Sequence, residues 1–312
     1  MTKTTTPQGP SSQSPFSNAT LLLTLTTLFW GGNAVAGKFA VGEISPLLLT
    51  ALRWLIAVTI LGLLARRHLV RDWPVIRQNL RYLFLLGAFG YAIFNAALYT
   101  SLKYTTAINV TILQAAMPMM IFALNFLAFR TRIHWAQALG YAVTLIGVLL
   151  TASRGDITLL ADLALNRGDV IILIGIFIYA CYSVALRSRP TIHWLSFLTV
   201  LVAAAAITSI AIASIEIIDG SVIWPTSITA WSVVLYTVIF PSLFSQTLFA
   251  RSVELIGSNR AGLFMNLVPI FGSILAVLLL GEAFELYHGL ALILVIGGIT
   301  IAQKLTPSSS SH

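Results

Sequence analysis

Two cations stand inside long apolar stretches, where a charge needs a compensating contact. Lys38 and Arg53 are surrounded along the chain by Ala, Leu, Val and aromatic residues. A cation in hydrocarbon costs at least about 2.5 kcal/mol unless it is paired, hydrated or able to reach the membrane surface. Lys38 either faces a water-filled cavity, where it would attract a solute carboxylate, or reaches outward and pairs with Glu43. For Arg53 we favour hydrogen bonds to helix ends or neighbouring side chains.

Aromatic and amide side chains recur at helical spacing. Tyr91, Asn95 and Tyr99 are four residues apart and therefore share one face of a helix. A polar stripe inside a membrane points into protein or water. We favour solute contact over hydrogen bonding between helices, in which Tyr99 would be an interface anchor. The other predicted substrate-binding residues, each of which could instead pack between helices, are Trp30, Asn33, Lys38, Gln114, Tyr179, Tyr182, Phe244, Gln246, Met265 and Asn266.

Three prolines fall inside apolar stretches, namely Pro118, Pro241 and Pro269. Proline removes one helical hydrogen bond and kinks the helix around it. The three positions are therefore predicted hinges, although a static kink has the same sequence pattern.

The surrounding elements are membrane spans. The 312 residues are 58% hydrophobic and only 9% charged, with a mean hydropathy of +0.91, whereas soluble domains carry about a quarter charged residues. Spans of roughly 20 residues recur along the chain with short interruptions. The predicted helices cover residues 20–41, 46–66, 80–101, 107–130, 134–152, 168–188, 192–215, 229–250, 259–280 and 285–304.

Charge segregation gives the orientation, because loops rich in Lys and Arg stay in the cytoplasm. With the N-terminus inside, only Lys103, Arg154 and Arg167 lie outside. The predicted cytoplasmic cations are Lys3, Arg66, Arg67, Arg71, Arg77, Arg81, Arg130, Arg132, Arg187, Arg189, Arg251, Arg260 and Lys304. The predicted external acids are Glu43, Asp156, Asp162, Asp169, Glu216, Asp219, Glu282 and Glu285. Both termini are therefore predicted to be cytoplasmic.

Five helices per half make the second half inverted relative to the first. An offset of 151 residues aligns Pro118 with Pro269, Leu124 with Leu275, Leu139 with Leu290 and Gly147 with Gly298. The predicted organisation is a disordered cytoplasmic leader (1–19), a first repeat (20–152), an external linker (153–167), a second repeat (168–304) and a cytoplasmic tail (305–312).

Several short motifs resemble the drug/metabolite transporter superfamily in its ten-helix EamA-type branch. They are Phe29-Trp30-Gly31-Gly32-Asn33 with Lys38, Pro46 to Arg53-Trp54, and Gly281-Glu282. The resemblance implies a central cavity lined by helices 1, 3, 4, 6, 8 and 9, with helices 5 and 10 at the periphery. It is strongest toward aromatic amino acid exporters.

Other classes find little support. The formal charge of +8 follows from loop cations, so nucleic acid is not an expected partner. The single cysteine, Cys181, excludes an internal disulfide or CxxC site. No sequence motif indicates a catalytic residue, a cofactor or a metal. The acidic residues fall near span ends, so we expect no buried carboxylate and no carboxylate proton relay.

The sequence therefore predicts an all-α, multi-pass protein of a bacterial inner membrane, a monomer surrounded by lipid. It would export amino acids, aromatic or broadly hydrophobic, by alternating access and facilitated diffusion. Two alternatives stay open. One is export of sugar phosphates or nucleotide-linked metabolites bound by Lys38 and Arg53, and the other is a membrane enzyme or scaffold without transport.

Overall fold

The computed structural model describes residues 18–130, 134–156, 166–257, 261–262 and 264–304. The predicted tail, nearly all of the leader and most of the linker lie outside these ranges. The described residues form ten helices: α1 Ala19–Phe39, α2 Pro46–Gln78, α3 Leu80–Ser101, α4 Ala107–Phe129, α5 Trp135–Ala152, α6 Arg167–Ser188, α7 Trp194–Ile218, α8 Ile228–Ile256, α9 Leu267–Leu280 and α10 Leu286–Lys304.

By length and composition, α1 to α8 can each cross a membrane. The apolar stretches of α9 and α10, Leu267–Leu280 and Leu286–Ala302, are shorter. The predicted fold class, an all-helical membrane protein of ten helices in two repeats, is confirmed.

The predicted loop at 67–79 is wrong, because α2 continues as a helix to Gln78. This extension is amphipathic. Ile76 is fully buried and Asp72 nearly so, while most of the other residues of the extension are partly or fully exposed. Packing of one apolar face therefore keeps the segment helical beyond the length that a membrane span requires.

Hydrogen bonds between helix ends show the antiparallel order. We call the side where α1 begins at Ala19 the near face, and the side where it ends at Phe39 the far face. At the far face, Lys38 donates to the carbonyl oxygen of Leu102 at the end of α3 (2.9 Å). At the near face, the Arg187 guanidinium donates to Asn125 (3.2 Å). Successive helices therefore alternate in direction, and the second five-helix half is inverted.

Helices α2 and α7 occupy equivalent places in the two halves and exchange carboxylate caps. Glu216 on α7 accepts hydrogen bonds from the backbone N–H groups of Leu47 (3.3 Å) and Leu48 (3.1 Å) at the start of α2. Asp72 on α2 accepts from the N–H of His193, the residue that precedes α7 (2.9 Å). A carboxylate at a helix N-terminus satisfies N–H groups that lack helical partners. The exchange is reciprocal, as a two-fold relation between the halves requires.

Helices α5 and α10 form the second equivalent pair. A Cβ atom added to Gly140 would collide with the Gly298 carbonyl oxygen, and one added to Gly147 would lie 2.9 Å from the Ala291 carbonyl oxygen. The offset of 151 residues aligns Gly140 with Ala291 and Gly147 with Gly298. The two contacts are therefore copies of one another, and both need a glycine where the backbones meet.

Candidate functional site

A central cavity of about 560 Å³ lies between the two halves. It is lined by residues in the middle of α1 and α3, near the start of α2, and from the middle of α4, α6 and α8 toward their near-face ends. The start of α9 and the residues before it, from Gly262 to Pro269, complete the lining. Tyr141 on α5 and Ile299 on α10 also reach it, although the resemblance implied that helices 5 and 10 lie at the periphery. Arg53 and Trp54 add α2 to the lining.

The cavity lining repeats across the two halves. The offset of 151 residues relates seven pairs of lining residues: Gly90 and Pro241, Asn95 and Gln246, Thr111 and Gly262, Gln114 and Met265, Ala115 and Asn266, Met117 and Val268, and Pro118 and Pro269. Corresponding helices therefore present the same register to the cavity, one from each side.

Backbone irregularities sit at the same places. Ahead of Pro118, the N–H groups of Ala115 and Ala116 bond to carbonyl oxygens only three residues back. Met265 and Val268, around the start of α9, do the same. Such tight turns interrupt the helical ladder where proline cannot donate. The predicted hinges Pro118 and Pro269 thus lie at matching interruptions that border the cavity.

The third predicted hinge, Pro241, lies in a π-helical turn of α8, Val238–Phe244. A second π-helical turn, Ala88–Ile93, occurs in α3, and the offset of 151 residues places it on 239–244. Wider turns of this kind are frequent at functional sites. Here Trp30 donates its indole N–H to the Pro241 carbonyl oxygen (3.3 Å), which joins α1 to α8 beside the cavity.

Arg53 is the one charged side chain among the described lining residues of the cavity. It is only 4% exposed. Its guanidinium donates to Ser242 Oγ (2.7 Å), Asn33 Oδ1 (3.1 Å), Asn95 Oδ1 (2.8 Å) and the Tyr99 hydroxyl. These partners come from α1, α3 and α8, and all are neutral.

No acidic side chain of the described residues forms an ion pair with Arg53. Its Cζ atom lies 4.7 Å from the ring centroid of Trp54, which adds a cation–π contact. The site therefore holds a fixed positive charge, with hydrogen bonds but without a counter-ion. An anion that enters the cavity would supply one.

Eight of the other lining residues are aromatic. Trp54 stacks on Tyr91 at a centroid distance of 5.2 Å, and Phe94 packs against Tyr179 at 4.9 Å. Toward the near face, Phe122 and Tyr141 stack at 4.5 Å. Rings in such pairs hold one another in place and present apolar faces to a solute.

The structure brings most of the predicted substrate-binding set to this cavity. The predicted residues that line it are Trp30, Asn33, Tyr91, Asn95, Gln114, Tyr179, Gln246, Met265 and Asn266. Tyr99 lies one layer farther from the near face, where it donates to Asn33 Oδ1 (2.9 Å) and binds Arg53.

Three predicted residues lie elsewhere. The Lys38 ammonium donates to the carbonyl oxygens of Leu102 (2.9 Å) and Thr105 (2.7 Å), so it satisfies the end of α3 and does not line the cavity. Tyr182 is buried against Gly90 and Tyr91 behind the wall. Phe244 is 52% exposed because its π-helical turn rotates it away from the cavity.

Sequence reasoning placed Arg53 in a structural role and left it out of the predicted set. Its depth in α2 was a signal, because Arg53 lies about two turns after the first residue of α2, Pro46, whereas Lys38 is next to the last residue of α1, and a deeper cation reaches the membrane surface less easily. The offset of 151 residues maps it onto Ala204, so this charge has no counterpart in the second half.

The expectation of no buried carboxylate is wrong. Asp72, Asp169 and Glu216 are 8%, 1% and 9% exposed. Each lies near a helix end in the sequence, but neighbouring helices cover these ends. Asp72 and Glu216 are the reciprocal caps of α2 and α7, whereas Asp169 caps no neighbouring helix in the part of the chain that the structure describes.

The far face is closed above the cavity. The side chains that meet there form a hydrophobic cluster that includes Val35, Leu49, Leu98, Ile112 and Val234. The pocket on that side measures only about 30 Å³ and is bordered by Tyr99. The cavity therefore extends toward the near face alone.

The model of the EamA-like transporter family matches the chain twice, over residues 17–153 and 166–302. The chain belongs to this family. The two matches correspond to the two inverted halves, which bound the cavity together. As an EamA-like transporter, the protein binds and releases a small-molecule solute within a lipid bilayer.

Similar proteins carry the same general description. The uncharacterized transporter YyaM of Bacillus subtilis (strain 168) is 26% identical over 287 residues, which cover 92% of this chain and 93% of YyaM. The uncharacterized transporter YetK of the same organism is 26% identical over 283 residues, or 89% and 85% of the two chains. A protein of known crystal structure superposes with a TM-score of 0.62 at 21% identity, over 95% of this chain and 99% of its own. This last similarity concerns the fold alone.

Proposed function

We propose that this EamA-like transporter exports amino acids, aromatic or broadly hydrophobic ones, across a bacterial inner membrane by alternating access. The observation that carries the proposal is Arg53, a cation without a counter-ion among the described residues, in a cavity otherwise lined by aromatic, amide, hydroxyl and apolar residues. Such a site suits a solute with one carboxylate and an apolar side chain.

Arg53 is the proposed anchor for the carboxylate. Its planar guanidinium has a fork of donors that matches two carboxylate oxygens. The side-chain amides of Asn33 and Asn95 already contact the guanidinium (3.1 and 2.8 Å) and would orient it toward the solute. A carboxylate would bring to this site the negative charge that the described neighbours of Arg53 lack.

The rest of the cavity suits the other two groups of an amino acid. Gln114 and Gln246 border the cavity with amide oxygens that can accept from an ammonium group. The faces of Trp30 and Tyr179 attract both cations and apolar side chains. The volume of about 560 Å³ lies within the usual range for small-molecule sites. A cavity of this size supports a broad rather than a single-substrate specificity.

Alternating access is supported by the two-fold arrangement. Inverted repeats let one half rock against the other around a central site, and the matching interruptions at Pro118 and Pro269 lie at that site. If the cation-rich near face is cytoplasmic, as the positive-inside rule predicts, the cavity faces the cytoplasm and can load an exported solute. Both halves belong to one chain, so a monomer is sufficient.

A phosphorylated substrate is less well supported. That alternative required Lys38 and Arg53 to act together, but the Lys38 ammonium binds two carbonyl oxygens at the far face. A single cation suits a monoanion better than a phosphate. The described cavity lining also contains no carboxylate, so proton exchange at the substrate site itself is not part of this proposal.

The direct test is efflux from proteoliposomes loaded separately with labelled phenylalanine, tryptophan, leucine, glutamate and glucose 6-phosphate. We expect efflux of the first three well above that from protein-free vesicles. At amino acid concentrations too low to saturate the wild type, the Arg53→Met variant should show strongly reduced efflux, whereas Arg81→Met, which removes an exposed cation, should retain it. Absence of efflux for every amino acid, or efflux of the sugar phosphate alone, would refute the proposal.

A further inference from the structure

A chain of hydrogen bonds at the far face joins α10 to α6 and ends on Asp169. The imidazole of His288 bonds through Nε2 to Asn109 Oδ1 (3.0 Å). Asn109 Nδ2 donates to Thr105 Oγ1 (3.3 Å), and Thr105 Oγ1 donates to Asp169 Oδ1 (2.6 Å). All four residues are less than 5% exposed, so the chain is sealed from water in this conformation.

The chain has one direction. His288 Nδ1 accepts the backbone N–H of Glu285 (2.9 Å), so the ring proton of a neutral imidazole must reside on Nε2 and be donated to Asn109. Each following group accepts from the one before it and donates to the next. Every donor therefore points toward Asp169, and its Oδ1 oxygen is the final acceptor.

The second carboxylate oxygen is left without a partner. Asp169 Oδ2 is buried and accepts no hydrogen bond from the part of the chain that the structure describes. A buried acceptor without a donor costs about 1–3 kcal/mol, and more when it is charged. The other two buried carboxylates avoid this cost because both cap helix N-termini. Asp169 therefore has an open position that a proton on Oδ2 would fill.

Charged and titratable groups surround this carboxylate at longer range. They are Arg154 at the end of α5, Tyr287 and His288 on α10, and Lys38 on α1, whose ammonium binds the Thr105 carbonyl oxygen. None of the described cations forms an ion pair with Asp169. A proton suits the site better than a metal ion, because the Thr105 hydroxyl and the Asn109 amide oxygen each already accept a hydrogen bond within this chain. Among the four side chains of the chain, only the Asp169 carboxylate has an oxygen without a partner in the described residues.

Local packing explains why the site is sealed. A Cβ atom added to Gly168 would collide with the Ser101 carbonyl oxygen and lie 2.9 Å from Thr105. The start of α6 is therefore pressed against the turn between α3 and α4. Glu282 holds the same region from the other side, since it accepts from the N–H groups of Ala107 (2.8 Å) and Ile108 (3.0 Å) at the start of α4.

We propose that Asp169 is a proton-binding site of this transporter and that its protonation is linked to the opening of the far face. The site joins the ends of α4 and α6, both of which line the central cavity, and an exporter must separate its far-face contacts to release solute. A carboxylate that is sealed in one conformation and hydrated in the other binds protons with different affinity in the two. By linkage, protonation must then shift the equilibrium between them.

The inference rests on the chain being a transporter and not on amino acids being its substrate. The first test therefore uses no substrate. Infrared spectra of the full-length protein in lipid nanodiscs, recorded across a pH titration, report the C=O stretch of protonated carboxylic acids. We expect one band to be lost completely in Asp169→Asn and retained in Glu285→Gln, which neutralises an exposed acid on the same face.

The second test measures hydrogen exchange at one fixed, neutral pH. Asp169→Asn resembles the protonated side chain, so backbone amides at the starts of α4 and α6 should exchange several-fold faster than in the wild type, with no change in Glu285→Gln. If Asp169→Asn does not fold, Thr105→Val retains the carboxylate and removes its donor. The Thr105→Val substitution should then shift the frequency of the infrared band assigned to Asp169.

Any one of four results would overturn the proposal. The infrared band could persist in Asp169→Asn or keep its frequency in Thr105→Val. Hydrogen exchange at the starts of α4 and α6 could be the same in the wild type and Asp169→Asn. Sodium chloride could raise the unfolding temperature of the wild type but not of Asp169→Asn, without any titrating band, in which case the site would bind a metal cation.

Discussion

Replacing Arg53 by methionine removes the only described charge of the cavity wall while keeping a side chain of similar length. The structure indicates that the fold tolerates the change. Ser242 would still donate to the Thr237 carbonyl oxygen (2.8 Å), and Tyr99 would still donate to Asn33 (2.9 Å). Only Asn95 Oδ1 loses the one donor it has in the described structure. One unsatisfied buried acceptor costs about 1–3 kcal/mol of stability, so the variant should remain folded.

The effect on transport should be larger and selective. A charge-assisted hydrogen bond contributes about 1.5–3 kcal/mol, and each 1.4 kcal/mol corresponds to roughly tenfold in affinity. Loss of the contact between Arg53 and a carboxylate should therefore weaken phenylalanine binding by about 10-fold to 100-fold. Phenylalaninamide has no carboxylate, so its binding should change little.

The assay is competition against labelled phenylalanine efflux in proteoliposomes, with both compounds tested on both proteins. In the wild type, phenylalanine should compete far better than its amide, and in Arg53→Met this preference should disappear. Arg53→Lys keeps the charge without the planar fork. Its preference for phenylalanine over the amide should therefore lie between that of the wild type and that of Arg53→Met. If Arg53→Met discriminates the two compounds as the wild type does, Arg53 does not bind the carboxylate and the reasoning from its missing counter-ion is wrong.

Three further predictions concern stability, each measured as thermal unfolding in one detergent. Gly298→Ala should destabilise by about 1–3 kcal/mol, because its Cβ would lie 2.7 Å from the Thr144 backbone nitrogen, whereas Gly297→Ala, with no atom within 4 Å, should stabilise slightly. Equal effects would contradict the close packing of α5 and α10. Glu216→Ala should cost about 1 kcal/mol through loss of the α2 cap, and Glu254→Ala, at an exposed ion pair, should cost less; the reverse order would refute the cap. Burial, then His68 beside it, lowers the pKa of His193 below its usual 6.5, so the folded state favours the neutral ring and stability should fall as the pH drops below about 6.5. His193→Asn keeps a capping side chain, and its stability should depend less on pH. If its stability depends on pH as that of the wild type does, His193 is not the source of the dependence.

The fold could be predicted well from the sequence, and the reasons are physical. Lipid leaves backbone groups no partner outside a helix, so an apolar run of sufficient length is a helix whatever its neighbours. Charge in the loops and the repeated prolines then suggested the inverted halves. The extension of α2 was missed because its stability comes from burial of Ile76 and from the cap that Asp72 provides to α7. Contacts of that kind depend on a helix more than a hundred residues away.

The candidate site could be predicted only in part, because orientation around a helix axis decides it. Tyr91 and Asn95 line the cavity, but the π-helical turn at Val238–Phe244 changes the helical register and leaves Phe244 exposed. Position along the chain was misleading for charges as well. Lys38 and Asp169 both lie near helix ends, yet one binds carbonyl oxygens and the other is covered by the turn between α3 and α4.

The position of Arg53 suggests how one cation could serve both sides of the membrane. The two halves present equivalent residues to the cavity, so the lining alone does not fix which way a solute points. Arg53 breaks this symmetry, because its counterpart is Ala204. It borders the central cavity, and its partner Tyr99 borders the small pocket at the far face. The pair therefore forms the partition between the two spaces. If Arg53 is the proposed carboxylate anchor, separation of Tyr99 from Arg53 would join the two spaces at the guanidinium, and a carboxylate held there would then face the far side without leaving its cation.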